Sequence, residues 1–229
     1  MHNTSISRSS LDFLKDLSKN NNRNWFAKNK DRYLKEYENM IAFADALLSE
    51  MKKHDDIETL SGKDSLFRIY RDTRFSKDKT PYKTYWAGSF KRATKKLRGG
   101  YYFQIEPGGS LAAGGFFNPN PADLLRIRQD IDLNYTDWKK LVAGKKITNI
   151  FGALKGEKVA TAPKGFAKDN SAIELLKHKQ FYFERKFSDK EVLAPLFFKE
   201  LNQTFKNLRP YFDYMSDVLT TDLNGVSTI

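Results

Sequence analysis

The chain of 229 residues contains no cysteine. A disulfide framework, a thiolate nucleophile and a cysteine-bound zinc ion are therefore excluded from any mechanism. A chain without cysteine suits a reducing compartment, and this favours a cytoplasmic location.

Long apolar runs are also missing. The N-terminal segment MHNTSISRSSLDFL lacks the apolar core of a signal peptide. No later stretch approaches the roughly 18 consecutive apolar residues that a membrane span needs. We therefore expect a cytoplasmic protein with no membrane partner.

Histidine is scarce, and the standard catalytic loops do not occur. His2, His54 and His178 show no metal-ligand spacing. His178 is the one histidine to consider for acid-base work, although a surface position on a helix is the commoner role. No G-x-S-x-G elbow, Walker loop or G-x-G-x-x-G after a strand is present. The sequence therefore predicts no metal and no cofactor.

Positive charge is what the chain has in excess. Forty Lys and Arg stand against 28 Asp and Glu, which gives a formal net charge of +12. Between Arg68 and Arg98 there are eleven basic residues and only two acidic ones, Asp72 and Asp78. This basic central segment favours an anionic partner.

Apolar periodicity predicts helices at the start of the chain and strands in its middle. Helical spacing indicates a short helix from Ser10 and a longer one from Asn24 to Met51. Residues 65–117 are rich in aromatic and β-branched residues separated by turn signals, which is typical of antiparallel strands. Within them, the turn EPGGS predicts that YYFQIE and SLAAGGFF form a hairpin.

Helical periodicity returns after this segment. Asn120 and Pro121 predict the start of a helix, and a second short helix follows around Trp138. ITNIF is a possible strand and QFYFERKF a predicted one. Ser188 and Glu191 then form a capping box for a long terminal helix, which Pro210 should kink or end.

This order of elements predicts an α+β fold, with a central antiparallel β-meander packed by N-terminal and C-terminal helices. There is no internal repeat and no break in composition. We therefore predict a single domain over residues 1–229, with frayed ends at about 1–8 and 222–229.

The densest group of polar residues is RIYRDTRFSKDKTPYK. If SLFRIYRDTRF is a strand, its side chains alternate between two faces. The face open to a ligand carries Arg68, Tyr70, Asp72 and Arg74. The opposite face carries Phe67, Ile69, Arg71 and Phe75. We expect its apolar members in the core and Arg71 either at the rim of the sheet or paired with a carboxylate.

Arginine offers a planar fork of donors that matches phosphate or carboxylate, and lysine adds a point charge. The candidate ligand-binding residues are Arg68, Arg71, Arg74, Lys79, Tyr82 and Lys83. Asp72 is the candidate catalytic residue, because it lies between two arginines and could orient them or accept a proton.

These residues resemble a known family. Its signature, R-x-x-R-D-x-R-F-x-x-x-K-x-P-Y-K-x-x-x-G, is matched here by RIYRDTRFSKDKTPYKTYWAG, with Ala87 at the last glycine and Gly88 one residue later. NNNRNWFAKNKDRY and GGFFNPNPADLLRIR extend the resemblance over most of the chain. The family is mostly bacterial, about 230 residues long and uncharacterised, so the resemblance implies no activity, cofactor or partner.

The leading hypothesis is recognition of an anionic small molecule, most simply a phosphate-bearing one, by the Arg/Lys cluster on the central sheet. A hydrolase or transferase at the same cluster is one alternative, although a nucleophile is missing. Nucleic-acid binding along the basic meander, with aromatic side chains stacking on bases, is another. An interaction module with structural Arg–Asp pairs is the last. The sequence predicts no oligomeric state.

Overall fold

The computed structural model describes residues 4–229, and this part of the chain contains helices and four strands. The helices are Arg8–Lys19 (α1), Arg23–Lys28 (α2), Lys30–Met51 (α3), Gly62–Ser65 (α4), Pro121–Leu133 (α5), Tyr135–Ala143 (α6), Lys145–Phe151 (α7), Ile173–Leu176 (α8), Asp189–Val192 (α9), Phe197–Lys206 (α10) and Arg209–Thr220 (α11). The strands are Trp86–Lys91 (β1), Gly100–Ile105 (β2), Ser110–Phe116 (β3) and Phe181–Phe187 (β4). None of the described helices is both long and apolar enough to cross a membrane.

The strands form one antiparallel meander in the order β1-β2-β3-β4. The predicted α+β fold is confirmed, and so is the hairpin of β2 and β3 around EPGGS. In its turn the backbone N–H of Gly109 donates to the carbonyl of Glu106 at 2.9 Å. Gly108 has a φ of 71°, a conformation that glycine adopts without steric cost.

Local start signals place several helices where the sequence predicts them. Asn120 caps α5 and Pro121 occupies its first turn, while Ser188 and Glu191 form the predicted capping box of α9. Helix α1 begins two residues before the predicted Ser10, because the side chain of Ser7 accepts the N–H of Ser10. The N-cap hydrogen bond of Ser7 thus sets the first residue of α1.

Two helix predictions and one strand prediction are wrong in detail. The long N-terminal helix is interrupted at Asn29, whose side chain donates to the carbonyl of Trp25 at 2.9 Å. ITNIF lies in helix α7, where Ile147 and Phe151 are buried on one face four residues apart. The terminal helix is divided between α9 and α10, with Pro195, which has no N–H to donate, between them.

His178 is buried instead of lying on a helix surface. It forms an isolated bridge with Lys158, and its Nδ1 lies 3.1 Å from the carbonyl oxygen of Gln180. Burial lowers its pKa, which keeps the ring neutral. The histidine therefore has a packing role here.

The predicted strand SLFRIYRDTRF is wrong. It pairs with residues 82–88, which run into β1, only through isolated bridges, Leu66 with Gly88 and Tyr70 with Tyr82. Leu66 and Tyr70 are four residues apart but their partners are six apart, so two extra residues break the ladder. The side chains then no longer alternate, and Phe75, expected in the core, is 95% exposed.

The described chain divides into two compact units. The first runs up to Phe90 and includes Tyr102–Ala112 and Lys186–Gln203. Its core contains Phe43 of α3, whose ring centroid lies 5.9 Å from that of Phe103 and 6.0 Å from that of Phe197.

The second unit comprises Lys91–Tyr101, Ala113–Arg185 and Thr204–Ile229. Its core contains the buried carboxylate of Asp130, which accepts hydrogen bonds from Trp138 Nε1 and the Tyr214 hydroxyl, each at 2.8 Å. The single domain over residues 1–229 and the fraying of residues 222–229 stay predictions. Of the predicted N-terminal fraying, residues 1–3 lie outside the described residues.

Gly88→Ala should destabilise the protein by about 1–3 kcal/mol, the usual cost of overpacking a core. A Cβ at this position would lie 2.6 Å from a ring carbon of Phe103 and 3.0 Å from the carbonyl oxygen of Ser65. Urea unfolding measures the change. Ser89→Ala, at a half-buried side chain of the same strand, should stay within about 0.5 kcal/mol. Equal stabilities for the two variants would contradict the close approach at Gly88.

Asp130→Ala should lower the free energy of unfolding by about 2–4 kcal/mol, because it leaves the buried Trp138 donor and the half-buried Tyr214 hydroxyl without their acceptor. Asp137→Ala is the matched control. Its carboxylate is exposed and, among residues 4–229, pairs only with Lys140, so its loss should cost less than about 1 kcal/mol. A small change for Asp130→Ala, measured by urea unfolding, would show that the network is dispensable.

Candidate functional site

The signature residues form an open hairpin whose second arm runs into strand β1. Its two arms are 66–71 and 81–88, and residues 72–80, here called the basic loop, connect them. The backbone N–H of Arg71 donates to Pro81 O at 2.9 Å, and that of Lys83 donates to Ile69 O at 2.8 Å. These bonds hold the two ends of the basic loop side by side.

Tyr82 anchors the second arm. The Asn21 side chain accepts the Tyr82 N–H at 3.1 Å and donates to the Tyr82 carbonyl at 2.9 Å. The Tyr82 ring stacks on Phe26 with centroids 4.0 Å apart, and Tyr70 lies 5.4 Å away on the hairpin. Burial raises the pKa of Tyr82, with Arg23 acting in the opposite direction. Tyr82 is thus mainly a buried residue that holds the second arm of the hairpin in place.

Asp78 organises the basic loop. Its carboxylate accepts from Arg71 Nη1 at 2.5 Å, from the Thr80 N–H at 2.9 Å and from the Thr80 hydroxyl at 3.0 Å. Arg71 Nη1 also bonds to the Thr80 hydroxyl. The Thr80 N–H, followed by Arg71, lowers the pKa of Asp78 to about 2. One edge of the Arg71 guanidinium is therefore fixed in place.

Two further hydrogen bonds lie within the basic loop. Lys79 Nζ donates to the carbonyl of Thr73 at 2.9 Å, and the Ser76 N–H donates to the same oxygen at 3.3 Å. The loop is therefore a folded turn, which places Thr73 and Lys79 next to each other.

An open cleft of about 960 Å³ lies against these residues. It is lined by Asn21, Asn22, Arg23, Tyr70, Arg71, Thr73, Asp78, Lys79, Thr80, Pro81 and Tyr82. Three cations therefore face one carboxylate, and that carboxylate is already bonded to one of the three. The wall of the cleft carries net positive charge.

The cations of the cleft retain donors. Arg71 uses only Nη1, so its Nε and Nη2 make no hydrogen bond with residues 4–229. Arg23 is exposed and makes no hydrogen bond or ion pair within the same residues. Lys79 uses one of its three N–H groups.

The cleft includes Arg71, Lys79 and Tyr82 of the predicted binding residues. Arg68, Arg74 and Lys83 do not line it. Lys83 Nζ donates to the carbonyls of Arg68 at 2.5 Å and Tyr70 at 3.0 Å. Burial, followed by the charges of Arg68 and Arg71, lowers the pKa of Lys83. Lys83 therefore ties the first arm of the hairpin together from beside the cleft.

The candidate catalytic residue also lies outside the cleft lining. Asp72 Oδ2 accepts from Arg74 Nη2 at 2.7 Å, and both side chains are exposed. The hydrogen bonds from Arg74 lower the pKa of Asp72. A carboxylate with a lowered pKa is a weaker base, which argues against Asp72 as a general base.

The sequence reasoning missed Arg23 and the two asparagines before it. All three lie in the segment NNNRN, which was interpreted only as a loop. This segment belongs to the part of the chain that resembles the family, and that resemblance could have pointed to it. No group of three or more His, Asp or Glu side chains within residues 4–229 is arranged to hold a metal ion.

Comparison with known families gives a match over residues 9–214 to the model described as Conserved hypothetical protein (DUF2461). The chain belongs to this family. The DUF2461 description assigns no function, in agreement with the resemblance in the signature. Neither the curated proteins nor the solved structures gave a match.

The Asp78 carboxylate should titrate well below the ordinary aspartate pKa of 3.8, at about 2. Because the pKa is depressed, the contacts of Asp78 are fully present above pH 3.8 and are lost as the pH falls through about 2. The amide shift of Thr80, recorded by NMR against pH, measures this midpoint.

The amide of Phe103 in the core serves as the control, because it changes only if the whole fold opens. A Thr80 midpoint at or above 3.8 would show that the carboxylate is not held by its three donors.

Proposed function

We propose that the cleft of this DUF2461 protein binds an anionic, phosphate-bearing ligand. The observation that supports this is the free edge of Arg71, whose Nη1 is fixed by Asp78 while Nε and Nη2 remain available. Two parallel N–H donors on a planar group match two oxygens of a phosphate. The ligand would complete the hydrogen bonding of a guanidinium that is already oriented.

The charges around Arg71 support an anion over a neutral ligand. Arg23 and Lys79 line the same cleft, and the single carboxylate, Asp78, has its oxygens occupied by Arg71 and Thr80. An anionic ligand would meet three cations and one carboxylate, a net charge of +2 on the wall of the cleft. Phosphate, with two charges near neutral pH, gains more from this arrangement than a carboxylate does.

Tyr70 and the amide side chains add polar and aromatic surface to the cleft. Asn21 uses its side chain on the Tyr82 backbone, and Asn22 caps helix α2. Tyr70 is 53% exposed, so one part of its ring is open to a ligand. The cleft is thus suited to a phosphate carried on a larger molecule. The expected cytoplasmic location stays a prediction of the sequence.

Isothermal titration with pyrophosphate tests this proposal. Arg71→Gln should weaken binding by roughly tenfold or more, because a charge-assisted hydrogen bond is worth about 1.5–3 kcal/mol. Arg23→Gln should weaken it by a smaller factor while leaving the melting temperature unchanged, since Arg23 has no bond to lose among residues 4–229.

Arg74→Gln is the matched control. It removes an arginine of the same basic loop that pairs with Asp72 outside the cleft lining, so pyrophosphate affinity should stay within a factor of two or so of the original. Absence of pyrophosphate binding, or equal losses in all three variants, would contradict the proposal. A lowered melting temperature for Arg71→Gln with unchanged affinity would instead support a structural role.

A further inference from the structure

The aromatic ring of Phe75, at the tip of the basic loop, is exposed to solvent. Phe75 is 95% exposed, more than any other large apolar side chain among the described residues. The guanidinium carbon of Arg74 lies 5.8 Å from its ring centroid, and no aromatic ring of residues 4–229 packs on it. The fold therefore leaves nearly all of this ring open to solvent.

This ring lies close to the proposed phosphate site. Thr73 lines the cleft and is two residues from Phe75, so their Cα atoms are at most about 7 Å apart. The bond from Lys79 to Thr73 keeps the loop folded, which holds the tip near the cleft. One cleft cation, Lys79, belongs to the same loop. The basic loop and the cleft that it lines are therefore considered together as one surface.

Tyr70 supplies a second aromatic surface inside the cleft. Its ring lies 5.4 Å from Tyr82 on one side, and the side chain is half exposed. Two open aromatic rings therefore accompany the cations Arg23, Arg71 and Lys79. Alternation of aromatic rings and cations is the pattern that binds single-stranded nucleic acid, where bases stack and phosphates meet positive charge.

We propose that the ligand of this surface is single-stranded nucleic acid, with backbone phosphates in the cleft and one base stacked on Phe75. This inference rests on the proposed phosphate site and names what carries the phosphate. A free phosphate or pyrophosphate would fill the cleft and leave Phe75 unused. A strand reaches both, because consecutive nucleotides place a base beside each phosphate.

Charge argues against a lipid surface as the occupant. The basic loop contains Arg74, Lys77 and Lys79 but also Asp72 and Asp78. An anionic bilayer attracts clusters of several cations and is repelled by carboxylates at the same depth. A strand contacts the loop one phosphate at a time, so the two carboxylates, each held by an arginine, need not face it.

The test is fluorescence anisotropy with two labelled strands of equal length and charge, oligothymidylate and an abasic strand. Oligothymidylate should bind more tightly by roughly fivefold to a hundredfold, the range expected for stacking of a base on an aromatic ring. Phe75→Ala should remove most of this difference and leave only what stacking on Tyr70 contributes, whereas Phe75→Tyr should keep the difference. Leu60→Ala, at another exposed apolar residue outside the cleft and the loop, is the control and should change neither affinity.

Salt dependence gives an independent measurement. The logarithm of the binding constant should fall with the logarithm of salt concentration, with a slope of about −0.7 per phosphate contacted on a single strand. Arg23→Gln should make the slope shallower by about one contact, and Phe75→Ala should leave it unchanged.

The outcomes separate this inference from the proposed phosphate site. Equal affinities for the two strands, unchanged by Phe75→Ala, would overturn base stacking. The effect of Arg71→Gln on pyrophosphate binding would still test the cleft. Pyrophosphate binding without strand binding would overturn the inference alone. Absence of both would overturn the proposed function as well. Binding to anionic phospholipid vesicles that depends on Phe75, with no strand binding, would assign the tip to a membrane surface instead.

Discussion

The pair of hydrogen bonds between the Asn21 side chain and the Tyr82 backbone is the constraint on which the site depends. One amide group both accepts from and donates to the same residue, as a neighbouring strand would. Tyr82 is bridged to Tyr70 across the hairpin, so fixing one arm positions the other. The basic loop then begins and ends at defined points, and Arg71 and Lys79 face one cleft.

The ion pair of Arg71 and Asp78 has a geometric role more than a stabilising one. The Asp78 side chain is 57% exposed, and pairs of this kind typically contribute no more than about 1 kcal/mol to stability. What the pair does contribute is orientation, since it fixes one edge of a flexible side chain and leaves the other edge in the cleft. Less conformational freedom is then lost when a ligand binds.

Sequence patterns predicted the elements that depend on neighbouring residues. The EPGGS hairpin, the cap at Asn120 and the capping box at Ser188 each follow from a few consecutive side chains and backbone angles. The interruption at Asn29 shows the limit of this reasoning, since apolar periodicity continues on both sides of it. A hydrogen bond from one side chain was enough to divide the helix.

The strand predicted over 65–75 failed for a non-local reason. Its residues have the composition of a strand, but a strand also needs a partner in matching register, and the opposite arm has two more residues between the bridges. Gly88, one residue after Ala87 at the signature glycine, lies where a Cβ would meet the Phe103 ring. Arg23 escaped prediction because its proximity to Tyr82 arises only when the turn after α1 meets the hairpin.

The signature residues of the site fall into two groups by what the fold does with them. The Pro81 carbonyl accepts a backbone hydrogen bond, the Tyr82 ring stacks on a neighbouring ring, and Lys83 donates to two carbonyls. These three residues therefore contribute to the fold itself. Phe75 is 95% exposed, so its burial contributes almost nothing to folding. Among the described residues, the exposed ring of Phe75 and the Nε and Nη2 donors of Arg71 are thus not required for packing, and the proposed ligand site is built on them for that reason.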